Sequence, residues 1–283
     1  MRAEQIVEGL WPGRAAEIET LGGGITNRNF KVVLDGEAFV LRIGGKDTAL
    51  LGIDREHEHE ASLAAARLGI APEVVRFQYG CLVTRYVEGD TGRADPAEVG
   101  RLLRRLHAGP PIPGRFDAFR VVEVYAETAA LHGLRVPDAY DQARSLAAEI
   151  ETLRSGPPLV PCHNDLLGAN FIHDGERLWL VDWEYAGMGD PFFDLANFAV
   201  NNGLDERGEA ALLDAYGTVD NQALTLMRFM SDFREAMWGV VQQALSELDF
   251  DFAGYAMEHF ERLGRTAADP RFRAYVTQTQ LSQ

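Results

Sequence analysis

Cysteine is nearly absent from this chain of 283 residues. Cys81 and Cys162 offer no disulfide framework, in keeping with a reducing compartment. Lysine is equally scarce: apart from Lys31 and Lys46, every basic residue is an arginine, which narrows the candidates for any chemistry that needs a lysine. An apolar run of about 18 residues, the minimum for a membrane-spanning helix, occurs nowhere in the sequence. The N-terminus, Met1-Arg2-Ala3-Glu4-Gln5, has no apolar stretch behind a basic region, so no secretory signal is expected. Positive charge is also short, with 27 Lys plus Arg against 43 Asp plus Glu and a formal net charge of −16. That balance argues against a nucleic-acid partner, which demands a basic face, and against an anionic membrane surface. It favours a cationic small molecule in an acidic cleft. A soluble cytoplasmic protein is the expectation, with nothing to fix its oligomeric state.

Against those absences stand 46% hydrophobic and 10% aromatic residues, enough for a sizeable core, and 25% charged residues, the usual globular share. At ~100–200 residues per domain, the length fits one large domain or two lobes. Residues 16–21, 30–34 and 38–43 are short stretches rich in apolar and β-branched residues, and Asp35-Gly36 between the last two is a hairpin signal. Asp54 is placed to cap a helix whose first turns carry Glu56, Glu58 and Glu60 and which Gly69 ends. Residues 73–77 and 81–87 add two strands. Five strands and one helix predict a small, mainly antiparallel lobe over residues 1–87. The polar, glycine-bearing segment 88–92 reads as a connector. From 93 to 283 the pattern turns helical, beginning with the cap and first-turn proline of Asp95-Pro96 and the spacing of Val99, Leu102, Leu103 and Leu106. Further helices are expected at 121–132, 138–154, 191–201, 205–216, 221–247 and 251–264, and short strands at 159–162 and 178–181. The fold class is α+β, a small β lobe joined to a larger, mainly helical one.

The chemistry is concentrated in His163-Asn164-Asp165-Leu166-Leu167-Gly168-Ala169-Asn170 and in Leu180-Val181-Asp182-Trp183-Glu184. Polar groups beside apolar strands need partners, because each one buried unpaired costs about 1–3 kcal/mol. Phosphoryl transfer would use the set. Asp165 can take the proton of an attacking hydroxyl, Asn170 can offer its amide oxygen to magnesium, and Asp182 can bridge the metal to the β- and γ-phosphates. A turn in which Asp and Asn bond their own backbone uses the same residue types. It does not explain H-x-D-x-x-x-x-N followed by a strand that ends in Asp.

The segment from His163 to Asn170 resembles the catalytic loop of the protein-kinase-like small-molecule kinases, with Asp182 similar to their metal-binding Asp. The run from Val181 through Tyr185, Gly189-Asp190-Pro191 and Asp194 to Ala196 is similar to the bacterial choline/ethanolamine kinase family, within the aminoglycoside phosphotransferase-like superfamily. The resemblance extends from Leu21 to about Leu263. It implies a bilobal protein-kinase-like fold, ATP with Mg2+, and phosphorylation of a small alcohol. His163, Asp165, Asn170 and Asp182 are then the catalytic set, with the metal on Asn170 and Asp182. The stretch Gly22-Gly23-Gly24-Ile25-Thr26-Asn27 lacks the Gly-Lys-Ser/Thr ending of a P-loop and is not G-x-G-x-x-G. It resembles the Gly-Gly-x-Thr-Asn loop of choline kinases, which implies nucleotide contacts from Gly23, Gly24, Thr26 and Asn27. Arg42 stands on the third strand where protein kinases carry a lysine, and a guanidinium can grip phosphate bidentately. Glu58 is implied as its helix partner. Glu56, Glu58 and Glu60, spaced by two, cannot share one helix face, so at least one is merely solvated. Tyr86-Val87 resembles the hinge whose backbone binds adenine.

The acceptor is harder to read. A quaternary ammonium is best held by aromatic faces with an acid nearby. Trp183, Glu184 and Tyr185 follow the metal Asp, and Trp238, Phe250, Phe252 and Tyr255 lie in the C-terminal region, where Leu226, Met230, Phe233, Met237 and Val241 recur at core spacing. The resemblance implies substrate contacts from Glu184, Tyr185, Asp194, Trp238 and Tyr255. In one place the sequence departs from the family. Val200-Asn201-Asn202 stands where eukaryotic choline kinases place an acid, which leaves Asp194, Glu184 or Asp232 to balance an ammonium. Choline or ethanolamine is the expected acceptor, with an aminoglycoside or another small molecule as the alternative. Two readings come from other classes. A nucleotide-binding pseudokinase would lack one of Asp165, Asn170 and Asp182, all of which are present. A metal-dependent hydrolase built on His163, Asp165 and Asp182 would normally need more histidines around two metals.

Overall fold

The computed structural model describes residues 2–22, 27–156 and 158–277. Its first element is a helix, α1 (Ala3–Leu10), which adds a second helix to the small lobe. Ala3, Ile6, Val7 and Leu10 form its buried face at spacings of three and four, but no Ser, Thr, Asp or Asn precedes it as a cap. The strands β1 (Ala16–Leu21), β2 (Asn27–Leu34), β3 (Glu37–Gly44), β4 (Val74–Gln78) and β5 (Cys81–Arg85) make one antiparallel sheet in the order β1-β2-β3-β5-β4. Asp35 and Gly36 turn between β2 and β3 with φ 52° and 86°, the two left-handed residues of a tight hairpin. The face bearing Val32, Leu34, Leu41, Ile43 and Val83 packs under α1 and Trp11 as one core. Gly23, Gly24 and Thr26 lie outside the described residues.

Helix α2 (Arg55–Arg67) begins where Asp54 accepts from the main-chain N–H groups of Glu56 and His57. Its core side chains, Ala61 and Ala65, and the following Ile70 and Ala71 join the core of the helical lobe rather than that of the sheet. The helix is therefore an anchor between lobes. A short strand, β6 (Asp90–Thr91), forms within the connector and pairs with β8 (Phe171–His173), which in turn pairs with β9 (Leu178–Leu180). The chain passes so close here that a Cβ on Gly89 would stand 2.4 Å from the His173 carbonyl oxygen.

The helical lobe comprises α3 (Pro96–His107), α4 (Ala118–Leu131), α5 (Ala139–Leu153), α6 (Pro191–Asn201), α7 (Glu206–Tyr216), α8 (Asn221–Leu245), α9 (Phe252–Ala268) and α10 (Pro270–Thr277). Strand β7 (Val160–Cys162) pairs with β10 (Gly187–Gly189), a strand absent from the sequence reading because two of its three residues are glycine. Helix α4 starts three residues before the expected position, since Asp117 caps it through the N–H groups of Phe119 and Arg120. Helix α8 lies at the centre, buried nearly all round from Ala223 to Gln242. Among the described residues, no helix is long and apolar enough to cross a membrane.

Candidate active site

The loop between β7 and β8 carries His163, Asp165 and Asn170, and its main chain is held from below by α6. Asp194 accepts from the N–H of His163 (2.9 Å) and of Asn164 (2.7 Å), while His107 Nε2 lies 3.1 Å from the same carboxylate. The side-chain oxygen of Asn197 accepts from Leu166 N–H at 2.6 Å, and Asn202 Nδ2 donates to the Leu166 carbonyl at 3.0 Å. Asp194 has no solvent exposure at all. It sits behind the loop, not on a substrate-facing wall, and Asn202 of the departing segment helps fix the same loop. Asn164, at φ 66°, makes the sharp bend before Asp165 and donates from Nδ2 to the Tyr185 carbonyl at 3.0 Å.

His163 is fully buried. Its Nε2 meets the Val181 carbonyl (3.0 Å), which can only accept, so the proton is on Nε2 and Nδ1 accepts from Asp165 N–H at 3.3 Å. Burial lowers its pKa and keeps it neutral. The ring, set edge-on to Trp183, ties the loop to the end of β9 rather than offering a free base. Asn170 donates from Nδ2 to the Asp165 carbonyl at 2.8 Å, which leaves its amide oxygen as the ligand atom the side chain can offer.

Asp182 has φ 71°, an uncommon conformation for a non-glycine residue and one that clusters at functional sites. Burial by itself would push its carboxyl up, but the Arg42 cation bonded to it holds it below the usual carboxylate range. Arg42 also donates to Glu58 at 2.9 Å, as the sequence reading expected, and Glu58 is 2% exposed whereas Glu56 and Glu60 face solvent. The network continues. Arg55 Nη1 reaches Glu58 (2.6 Å) and Glu184 (3.2 Å), and Asn27 Nδ2 donates to Glu184 at 2.7 Å. A chain of alternating charge thus runs from Asp182 through Arg42 on the third strand and Glu58 and Arg55 on α2 to Glu184. Neither lysine belongs to it: Lys31 lies 4.2 Å from the Tyr86 ring centroid, and Lys46 is exposed beside Glu247.

These groups border a cleft of about 320 Å³. Leu21, Val40, Ala71, Leu82, Ile172 and Val181 give it apolar walls, Tyr86 and Val87 stand at its connector side, and Arg42, Glu58, Asn170 and Asp182 at its polar end. The N–H of Tyr86 already donates to the Ala38 carbonyl at 3.0 Å. Asn170 and Asp182 offer hard oxygen ligands, the donor type that magnesium takes, and among the described residues this cleft wall holds no sulfur.

Asp165, which is not among the residues lining that cleft, meets a group the sequence reading missed. Arg234, 1% exposed on α8, donates from Nη1 to Asp165 Oδ1 at 3.3 Å and to Glu235 Oε1 at 2.7 Å, with Cζ 4.4 Å from the Tyr185 ring centroid. Tyr255 donates to Glu235 Oε2 at 2.8 Å, and Trp238 Nε1 donates to the Tyr185 hydroxyl at 3.1 Å. Trp238 is 7% exposed and set edge-on to Phe252 and Tyr255. Tyr185, Trp238 and Tyr255 therefore share one cluster, and Glu184 precedes Tyr185 in the chain. Asp232 does not: it is paired with His259 (2.9 Å) and Arg262 (3.2 Å). Burial pushes the Asp165 carboxyl up to about 8, opposed by Arg234 and reinforced by Glu235, Asp182 and Glu184.

Residues 17–233 match the model of the phosphotransferase enzyme family. Protein LicA of Haemophilus influenzae is 27% identical over 84% of this chain and 76% of its own length. Ethanolamine kinase 2 of Mus musculus is 26% identical over 89% of this chain and 76% of its own. The crystal structure of a choline/ethanolamine kinase family protein from Mesorhizobium loti superposes with a TM-score of 0.82 and 31% identity, covering 97% of both chains. The chain belongs to the phosphotransferase enzyme family, as a kinase of the choline/ethanolamine type that acts on small molecules.

Proposed function

We propose that the protein transfers the γ-phosphate of Mg-ATP to the hydroxyl of a small amino alcohol, choline or ethanolamine, with Asp165 as the general base. The observation that carries this reading is the meeting of Asn170, Asp182 and the Arg42–Glu58 pair at one end of an apolar cleft, with Asp165 tied to them through the bond from the Asn170 side chain to its carbonyl. Residues 1–87 would serve as the nucleotide lobe and 88–92 as its hinge, with adenine against the apolar walls. Since the Tyr86 N–H is engaged, the Tyr86 carbonyl and Val87 are left to recognise the base edge. Arg42 would turn its fork of donors to the phosphates, held in place by Glu58. Asn170 and Asp182 would hold magnesium, which when bound neutralises charge on the phosphate oxygens. The names of the relatives support an amino-alcohol acceptor, and a cytoplasmic location would go with ATP use.

In the reaction Asp165 accepts the proton of the acceptor hydroxyl as that oxygen bonds to the γ-phosphorus. The bond from the γ-phosphorus to the β,γ-bridging oxygen breaks, and ADP leaves with the electron pair. Glu184, Glu235 and the Tyr185–Trp238–Tyr255 cluster supply the acidic and aromatic surroundings that suit an ammonium group. The test is ADP release from Mg-ATP across a panel of choline, ethanolamine, related amino alcohols and an aminoglycoside. Release confined to the amino alcohols supports the reading. Release only with the aminoglycoside, or equal release with no acceptor, excludes it.

A further inference from the structure

Arg234 has no role in the reaction as written above, yet it is the bulkiest fully buried side chain in the molecule among the described residues. Its Nε and Nη2 meet no protein acceptor, so Nη1 alone carries its hydrogen bonds, to Glu235 and to Asp165. Stability is a poor reason to keep such a group, because well-packed apolar residues commonly serve as well as a buried ion pair. Nor can it reach a substrate at 1% exposure. What it does touch is the base. The segment that carries Asp165 supplies no cation of its own, since the residues between Asp165 and Asn170 are Leu166, Leu167, Gly168 and Ala169.

We infer that Arg234 is the positioning residue of the base: it holds Oδ1 of Asp165 so that the other carboxylate oxygen is presented to the acceptor hydroxyl. Its own position is set twice, by Glu235 and by the face of Tyr185. Both supports lead to the acceptor side, Glu235 through the Tyr255 hydroxyl and Tyr185 through Trp238 Nε1. The aromatic residues thus act on the base through one guanidinium. A lysine would keep the charge but lose the planar contact with the Tyr185 ring that sets the position of the guanidinium. The inference rests on Asp165 being the base.

The test uses the full chain with choline and ethanolamine as probes. Arg234→Gln, Arg234→Lys and the charge-balanced double variant Arg234→Gln/Glu235→Gln are compared with wild type, the double variant guarding against an uncompensated Glu235. Misplacing a reacting group by about 1 Å costs up to ~100-fold in rate. The expected result is a kcat lowered by roughly 30-fold or more, with the affinity for ADP within about twofold of wild type. In an Asp165→Asn background the same substitutions should change the residual rate by less than about threefold, since residues that act as a unit are not additive. A folded double variant with kcat near wild type overturns the inference, as does an undiminished loss in the Asp165→Asn background. If wild type releases no ADP with either alcohol, the functional reading fails by itself. The crystal structure of the double variant then decides the role of Arg234. A rotated Asp165 carboxylate supports it, and an unmoved one overturns it.

Discussion

A carboxyl in the place of Asp165 is short of water: burial raises its pKa, Arg234 opposes that, and Glu235, Asp182 and Glu184 raise it further. A base works unprotonated, so turnover should rise with pH through its ionisation. Magnesium at Asp182 would counter one of the like charges and draw the value down from about 8, but burial persists. The acid limb of kcat/KM is therefore expected well above 3.8, the usual carboxyl value, and a limb at that value would contradict the assignment. Asp165→Asn should lower kcat by about 10²–10⁴-fold, the usual contribution of a general base. Nucleotide titration should give near-normal ATP affinity, because the substituted amide leaves the Arg42–Glu58 end of the cleft intact.

Helix α6 is the element on which the loop depends. Its Asp194 and Asn197, with Asn202 just past its end, take up the main-chain N–H groups of His163, Asn164 and Leu166 and the Leu166 carbonyl. Asp194→Ala would leave two buried N–H groups and Nε2 of His107 without the carboxylate they meet. Removing one member of such a buried charged set costs about 3–5 kcal/mol. Denaturant unfolding should register that loss, and turnover should vanish with it. A stable, active Asp194→Ala enzyme would show that the loop is held otherwise. In the sequence, Asp194 is a substrate contact only by family resemblance. Only the packing shows that it faces the loop's main chain from behind.

Other elements were more legible. Asp35-Gly36, the capped start of α2 and the H-x-D-x-x-x-x-N loop each declare themselves through local residue chemistry, whereas the choice of Glu58 over its neighbours comes from the family resemblance. Helix α1 did not, for want of a cap residue, and β10 did not, being mostly glycine. Arg234 and Glu235 were lost in an otherwise core-forming run, Phe229-Met230-Ser231-Asp232-Phe233 and Ala236-Met237, on a helix buried nearly all round. Charged residues on such a helix must find partners inside the protein. That was the available signal, but which partners they find depends on long-range packing.

At the scale of the whole molecule, α2 unites the lobes, because its apolar face belongs to the helical core while Glu58 holds the strand arginine. The network through Arg55 and Glu184 extends that link to the residue before Tyr185. The whole chain also carries a formal net charge of −16, which should draw a cationic acceptor toward the cleft. Raising ionic strength from about 0.01 M to 0.15 M shortens the screening length from ~30 Å to ~8 Å. In steady-state kinetics kcat/KM for choline should then fall by roughly 2- to 10-fold, while that for an uncharged isostere holds. Equal salt dependence for both would remove any steering by charge.

Phosphorus NMR of wild-type protein turning over Mg-ATP, with and without choline or ethanolamine, tests acceptor-dependent phosphoryl transfer most directly. The expected spectrum shows a phosphomonoester of the acceptor growing in step with ADP, with almost no inorganic phosphate, and no change when the acceptor is left out. Inorganic phosphate accumulating at the same rate with or without acceptor would mean that water is the acceptor and that the protein is not a kinase of amino alcohols.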